Sequence, residues 1–218
     1  MGKKKYALRE KKHAQTKLAI MRAFIERLKN TRYDNISIRE VCENVEVSEG
    51  TFFNYFPEKI DIINYYMHLV VLKTAWKSKK VKSRGRYLDL IDKSFETLAE
   101  EFTNPNLIYE MISIMVIQKD RPKKITIPDI EKCYAFPECE GIEAMPTLFI
   151  DDFYRGCLKN ALKNGELPPK TNLDDVLISL EAILGGTMMA VKLEKSSNLS
   201  YHMKRQLSLL WKGLGRKT

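Results

Sequence analysis

Three histidines, His13, His68 and His202, and four cysteines are all that 218 residues offer in metal-binding or readily activated side chains. No HExxH, GxSxG or phosphate-loop pattern occurs. The acid pairs Asp151-Asp152 and Asp174-Asp175 are adjacent, and neighbours on a helix diverge by about 100°. They read as surface and first-turn charges, not as an acid/base pair, so no enzyme is expected. The Cys133/Cys139 spacing fits no common zinc pattern, and neither a metal nor a cofactor is expected. The start, "MGKKKYALREKKH", is charged but no apolar stretch follows it. With so few cysteines, a reduced cytoplasm is the simplest compartment. Long apolar runs are missing too. The longest, Ala182 to Val191, is about half of the ~20 residues a membrane span needs, so no membrane partner is expected. Alternating strands, hairpin dipeptides, repeats and low-complexity segments are also absent.

What remains is charge and helical periodicity. Apolar residues make up 44%, enough for a packed core. The formal net charge is +9. Residues 1 to 32 hold eleven Lys/Arg against two Asp/Glu, an excess as large as that of the whole chain. Residues 73 to 86 add seven basic residues and no acid. A basic arm on a near-neutral body suggests contact with phosphates; for Lys3 to Lys5 a solvated tail is the alternative.

The apolar spacing predicts a first helix over 8–30, with Leu18, Met21, Phe24, Ile25 and Leu28 on its inner stripe. Ser37, with Glu40 three residues on, caps a short second helix. A third starts after Ser48 and ends near Tyr55, and Pro57 suits the first turn of a fourth. Two short helices about three residues apart have helix-turn-helix spacing, in which one helix braces and the next enters the major groove. Seven residues cannot be stable alone, so Phe52 and Phe56 are expected to pack inward while Phe53 and Tyr55 face out.

The stretch "YDNISIREVCENVEVSEGTFFNYFPEKIDII" resembles the N-terminal domain of the TetR family of transcriptional repressors, over roughly residues 18 to 65. Val47-Ser48, Gly50-Thr51, Phe52-Phe53, Asn54-Tyr55-Phe56 and Lys59 carry the match. The resemblance implies an all-α fold of about nine to ten helices. A three-helix DNA-binding domain with its basic arm, 1–58, would precede a larger ligand-binding and dimerising domain, 59–218. It implies a homodimeric repressor that binds palindromic double-stranded DNA and is released by a small apolar ligand. By the same resemblance, Glu49, Gly50, Phe53 and Asn54 meet base edges, while Ser37, Ser48, Thr51, Tyr55 and Lys59 serve phosphates. Asn can pair bidentately with adenine, and an apolar ring can meet a thymine methyl.

Three positions depart from the family pattern. Arg32 and Glu46 stand where the family has glycine. A left-handed backbone at Glu46 would cost something like 1 kcal/mol. Glu49 replaces a residue that is often basic. Residues 33 to 60 hold two basic and six acidic residues, so attraction for phosphate must come from the first helix and its arm. The acidic head also leaves open a regulator of the same fold that acts through a protein partner.

Beyond residue 84, helices are expected near 85–102, 105–118, 143–164, 173–194 and 199–214, with an irregular link between the second and third of these. Asn104-Pro105 is a cap followed by a first-turn proline; Thr171 with Asp174 restarts a helix after Gly165. Tyr109, Met111, Met115, Phe149, Phe153 and Cys157 are candidates for the wall of an adaptable apolar pocket, with Tyr134 and Phe136 at its entrance. Leu177, Leu180, Leu184, Met188, Leu207 and Trp211 fall on the apolar faces of the last two helices, which a two-fold axis would double into a four-helix interface. Gly185-Gly186 in mid-helix calls for close approach of another helix.

Overall fold

The computed structural model describes residues 6–80, 86–118, 122–194 and 198–215. Lys3 to Lys5 lie outside these, as do Lys82 and Arg84 of the second basic segment. Among the described residues there are ten α-helices and no strand. The chain divides into two compact units, residues 1–73 with 119–147 and residues 74–118 with 148–218.

The first unit contains α1 (Leu8–Leu28), α2 (Ile38–Asn44), α3 (Glu49–Tyr55), the first two-thirds of α4 (Lys59–Lys80) and α7 (Asp129–Ala135). Its helix starts are written in the sequence. Ser37 Oγ accepts the Glu40 N–H at 3.4 Å and Ser48 Oγ accepts that of Thr51 at 3.1 Å, each satisfying one of the donors a helix leaves open. Pro57 lies two residues ahead of α4, outside its expected first turn. The helix start is closed instead by Asp61, which accepts the Glu58 N–H at 2.9 Å. Leu18, Phe24 and Leu28 are fully buried, as are Phe52 and Phe56. The rings of Phe52, Phe56 and Tyr65 form a chain with centroids 6.3 and 5.6 Å apart, fastening α3 to α4.

The expected boundary at 58/59 falls at the start of α4, whereas the units divide within that helix, at Lys73/Thr74. The stretch expected to be an irregular link returns to the first unit: it forms α7, which packs on α1, and a single 3-10 turn at Ile142–Ala144. Because this turn and Pro146 occupy residues 142–146, α8 begins at Ile150 and not near 143.

The second unit contains α5 (Leu88–Glu101), α6 (Pro105–Ile117), α8 (Ile150–Lys163), α9 (Leu173–Leu193) and α10 (Leu199–Gly213). Asn104 caps α6, and Asn172 rather than Thr171 caps α9. Glu166, just past α8, accepts the backbone N–H groups of Tyr87 and Leu88 at 2.7 and 3.0 Å and so closes the start of α5. The core of this unit lies between α5, α8, α9 and α10, around Phe95, Tyr154, Leu158, Leu180 and Met203.

Candidate nucleic-acid interface and interior site

The turn between α2 and α3 is set by Glu46. Its φ is 56°, the one positive φ of a non-glycine residue among those described. The chain reverses there while Val47 N–H returns to Cys42 O at 3.0 Å. This is the left-handed position at which the family pattern has glycine.

On α3, Glu49, Gly50, Phe53 and Asn54 are all exposed, Phe53 by 47%. None of their side chains makes a hydrogen bond among the described residues. They share one face, opposite buried Phe52. The glycine is not required by the fold. A Cβ built on Gly50 meets only Ser48 Oγ, at 3.8 Å, an ordinary contact, although glycine within a helix costs about 1 kcal/mol relative to alanine.

The five expected phosphate partners divide in their local roles. Ser37 and Ser48 hold helix caps, and Thr51 Oγ1 shares a hydrogen bond with Ser48 Oγ at 2.9 Å. Tyr55 is half-buried with its ring 4.6 Å from that of His13, and its hydroxyl makes no hydrogen bond among the described residues. Lys59 donates to the carbonyls of Tyr33 and Asp34 at 3.0 and 3.4 Å and lies over the Tyr33 ring. Burial pushes its ammonium pKa down.

The basic residues in the later part of α1 are engaged within the unit. Lys17 pairs with Glu131, Arg22 donates to the Tyr134 and Ala135 carbonyls, Arg27 pairs with Glu40 and Lys29 with Glu26. Arg9, Lys11 and Lys12 have no such partner among the described residues. The His13–Tyr55 contact places this end of α1 beside the end of α3. Sequence reading did not single out His13; its position one turn from Lys17 on α1 was the available signal.

In the second unit, Met111, Phe153 and Cys157 are buried and Phe149 is half-buried. Tyr109 and Met115 are exposed, by 44% and 68%, and Lys192 Nζ covers the Tyr109 ring at 3.5 Å. The structure therefore places four of the six wall candidates inward and two outward. Tyr134 and Phe136 belong to the first unit, where Lys73 lies over Phe136. Sequence reading missed two polar groups of the second unit. Thr74 and Thr97 are fully buried, and their hydroxyls have no hydrogen-bond partner among the described residues. Cys157, with its thiol pKa pushed up to about 12 by burial and then by Glu166, is no reactive thiolate.

Leu177, Leu180, Met188, Leu207 and Trp211 are buried within the single chain and Leu184 is half-buried. Their side chains fill its own core and leave little surface for a second copy. The apolar face that α9 leaves open is a different one, made of Ile178, Ala182, Gly185, Gly186, Met189 and Leu193. By length and composition α9 could cross a membrane, with 33% of its most apolar window buried inside the fold. The glycine pair named above lies on this open face and was the signal for it.

No protein-family model matches the chain, and no curated protein matches it in sequence. Solved structures do match along nearly its whole length. FadR of Thermus thermophilus, described as a TetR family transcriptional repressor in complex with lauroyl-CoA, superposes with a TM-score of 0.63 at 19% identity, covering 93% of this chain and 96% of its own. TylP, a TetR regulator from Streptomyces fradiae, gives 0.62 at 17%, covering 92% and 86%. Reduced NemR of E. coli gives 0.60 at 13%, covering 93% and 100%. The ten helices of the described residues thus have the fold of the TetR-family transcriptional regulators.

Proposed function

We propose that this protein is a cytoplasmic, homodimeric transcriptional repressor that binds a palindromic operator and is released by a small apolar ligand. The observation that carries the reading is the exposed face of α3. Glu49, Gly50, Phe53 and Asn54 are exposed and make no side-chain hydrogen bond among the described residues, and Arg9, Lys11 and Lys12 are uncommitted cations on the helix beside it. The four side chains meet base edges. Tyr55, with its unused hydroxyl, and the cations meet phosphates, which position the protein without specifying sequence. Ser37, Ser48 and Thr51 each retain acceptor or donor capacity beyond their caps. Glu49 suits a cytosine amino group.

A single short helix reads too few bases, so two heads on a palindrome, about 34–36 Å apart, are required. The effector would enter the interior of residues 59–218. Met111, Phe149, Phe153 and Cys157 supply apolar contacts there, and the Thr74 and Thr97 hydroxyls supply polar anchors. That FadR, on the same fold, is described with lauroyl-CoA supports an effector with an apolar chain. A coupling of ~1–3 kcal/mol between effector and DNA sites gives a 5- to 150-fold loss of DNA affinity.

The test is fluorescence anisotropy on the intergenic DNA flanking the protein's own gene and on a scrambled duplex, over a range of salt. Tight binding to the native duplex alone, with a steep salt slope and losses in Asn54→Ala and Tyr55→Phe, is expected. Equal weak binding to both duplexes would sink the reading and favour a regulator acting through a protein partner.

A further inference from the structure

His13 lies in the second turn of α1, with its side chain 57% exposed. Its ring meets that of Tyr55, at the end of α3, with centroids 4.6 Å apart and planes tilted by 52°. Glu131 of α7 approaches the same ring, its Oε1 4.0 Å from His13 Nδ1. One exposed imidazole thus touches both the phenol at the end of α3 and a carboxylate that is itself buried.

Among the described residues, the charges around this ring cancel. Within α1, Arg9 and Glu10 lie one turn before it and Lys17 one turn after. Glu131 comes from α7. Tyr65 of α4 faces that carboxylate as a neutral donor, and Tyr55 of α3 is neutral as well. Two cations therefore stand against two carboxylates. Both carboxylates are engaged elsewhere: Glu10 accepts the Ala7 N–H at 2.7 Å, and Glu131 holds Lys17 and Tyr65. The 4.0 Å from Glu131 to His13 is too long for a hydrogen bond. With its surroundings balanced, the ring's charge is decided by whatever else arrives. An anion within about 4–6 Å favours the charged form, and imidazole is the side chain that ordinarily changes charge between about pH 5 and 8.

We infer that His13 is a DNA-contact residue: a backbone phosphate beside Tyr55 binds its imidazole in the protonated form, so each head takes up a proton from solvent as it seats on the duplex. The inference rests on the reading of α3 as the DNA-binding face. Glu131, fixed by Lys17 and Tyr65, stands by Nδ1 and leaves Nε2 to donate to the phosphate oxygen, a charge-assisted hydrogen bond. Such a contact does not discriminate between bases. It adds affinity that varies with pH. The complex holds the proton more tightly than the free protein does, so the added affinity is complete at low pH and is lost as pH rises and the ring gives up its charge.

Phosphate contacts are independent of sequence, so a random-sequence duplex at low salt is the probe. By fluorescence anisotropy, the parent's affinity should fall about three- to tenfold per head between about pH 6 and 8. His13→Gln, neutral throughout, should bind more weakly at the acid end and lose this dependence. His13→Arg, charged throughout, should bind tightly across the range and lose it too, with a salt slope about one unit per head steeper than that of the glutamine variant. The position is exposed, so neither change disturbs the core. The other two histidines are internal controls. His68 is buried, which pushes its pKa down, and His202 lies on α10. Both remain in the two variants, so a pH dependence that survives in His13→Gln belongs to one of them and overturns the proposal. A parent whose duplex affinity does not change with pH would overturn it as well and leave the DNA-binding reading standing. A parent that binds no duplex even at low salt would remove both.

Discussion

Tyr65 of α4 donates its phenolic hydrogen to Glu131 Oε2 of α7 across 2.7 Å, and Lys17 of α1 reaches the same carboxylate at 3.2 and 3.4 Å. Glu131 is 2% exposed. A buried carboxylate without donors costs several kcal/mol, so these two make the position of α7 on α1 and α4 a condition of folding. Burial, and then the neighbouring negative charge, push the Tyr65 pKa far up, so the phenol remains a donor throughout the physiological range. Glu131→Gln should lower stability by roughly 1.5–3 kcal/mol, the range for hydrogen bonds to a charged group, read from the urea midpoint. An unchanged midpoint would mean that desolvation cancels the cluster's gain.

Gly50 separates fold from binding. A methyl group there has room, and alanine is the better helix former. Gly50→Ala should therefore raise the urea midpoint by the equivalent of about 0.5–1 kcal/mol while weakening operator binding, because the added Cβ stands on the face proposed to meet base edges. Gain of stability with undiminished DNA affinity would remove Gly50 from the interface.

Glu46 carries backbone strain on an exposed turn. Glu46→Gly should stabilise the protein by about 1 kcal/mol, whereas Glu46→Ala, which keeps the Cβ, should recover little of this. Equal midpoints for the glycine and alanine variants would show that the left-handed turn costs nothing here.

These residues also show what the sequence made legible. The inward Phe52 and Phe56, the outward Phe53 and the caps at Ser37 and Ser48 follow from 3.6-residue spacing and hydroxyl placement. The positive φ at Glu46 followed from a glycine position in the family pattern. α7 was hidden because it is only seven residues long and carries Glu131 and Lys132, charges that read as surface but are 2% and 5% exposed. Their partners, at Lys17, Tyr65 and Met145, are found by tertiary structure alone. α6 is apolar nearly all round, so its pattern selects no face: Glu110 lies inside and Met115, Val116 and Ile117 outside. α9 has two apolar faces. The bulkier one, with Leu177, Leu180 and Met188, lies in the chain's own core.

Cys157 links stability to pH. A cysteine of the unfolded chain titrates near 9, while burial and Glu166 hold the folded thiol up to about 12, against a smaller opposing effect of Lys79. The folded state therefore favours the protonated thiol. Its contribution is complete below pH 9 and is lost as pH rises from 9 towards 12. Cys157→Ala should be less stable than the parent at pH 7, mainly through the cavity, and the gap should narrow above pH 9. A gap that stays constant from pH 7 to 10 would show that the thiol does not titrate differently on folding.

The proposed second copy makes the clearest division between the two faces of α9. Gly185 and Gly186 stand on the open stripe, and a Cβ on either meets nothing within 4 Å. Each costs its own helix about 1 kcal/mol relative to alanine, with no compensating contact inside the chain; a close-packed second copy would supply one. Gly186→Leu should leave the monomer's fold intact, or stabilise it, and shift the protein from dimer to monomer in sedimentation equilibrium. Leu180→Ala should do the reverse. Leu180 is fully buried in the chain, so its truncation should cost about 2–5 kcal/mol of stability while folded molecules still pair. If Gly186→Leu remained dimeric at micromolar concentration, the interface would have to lie off this stripe, and the glycine pair would need another occupant.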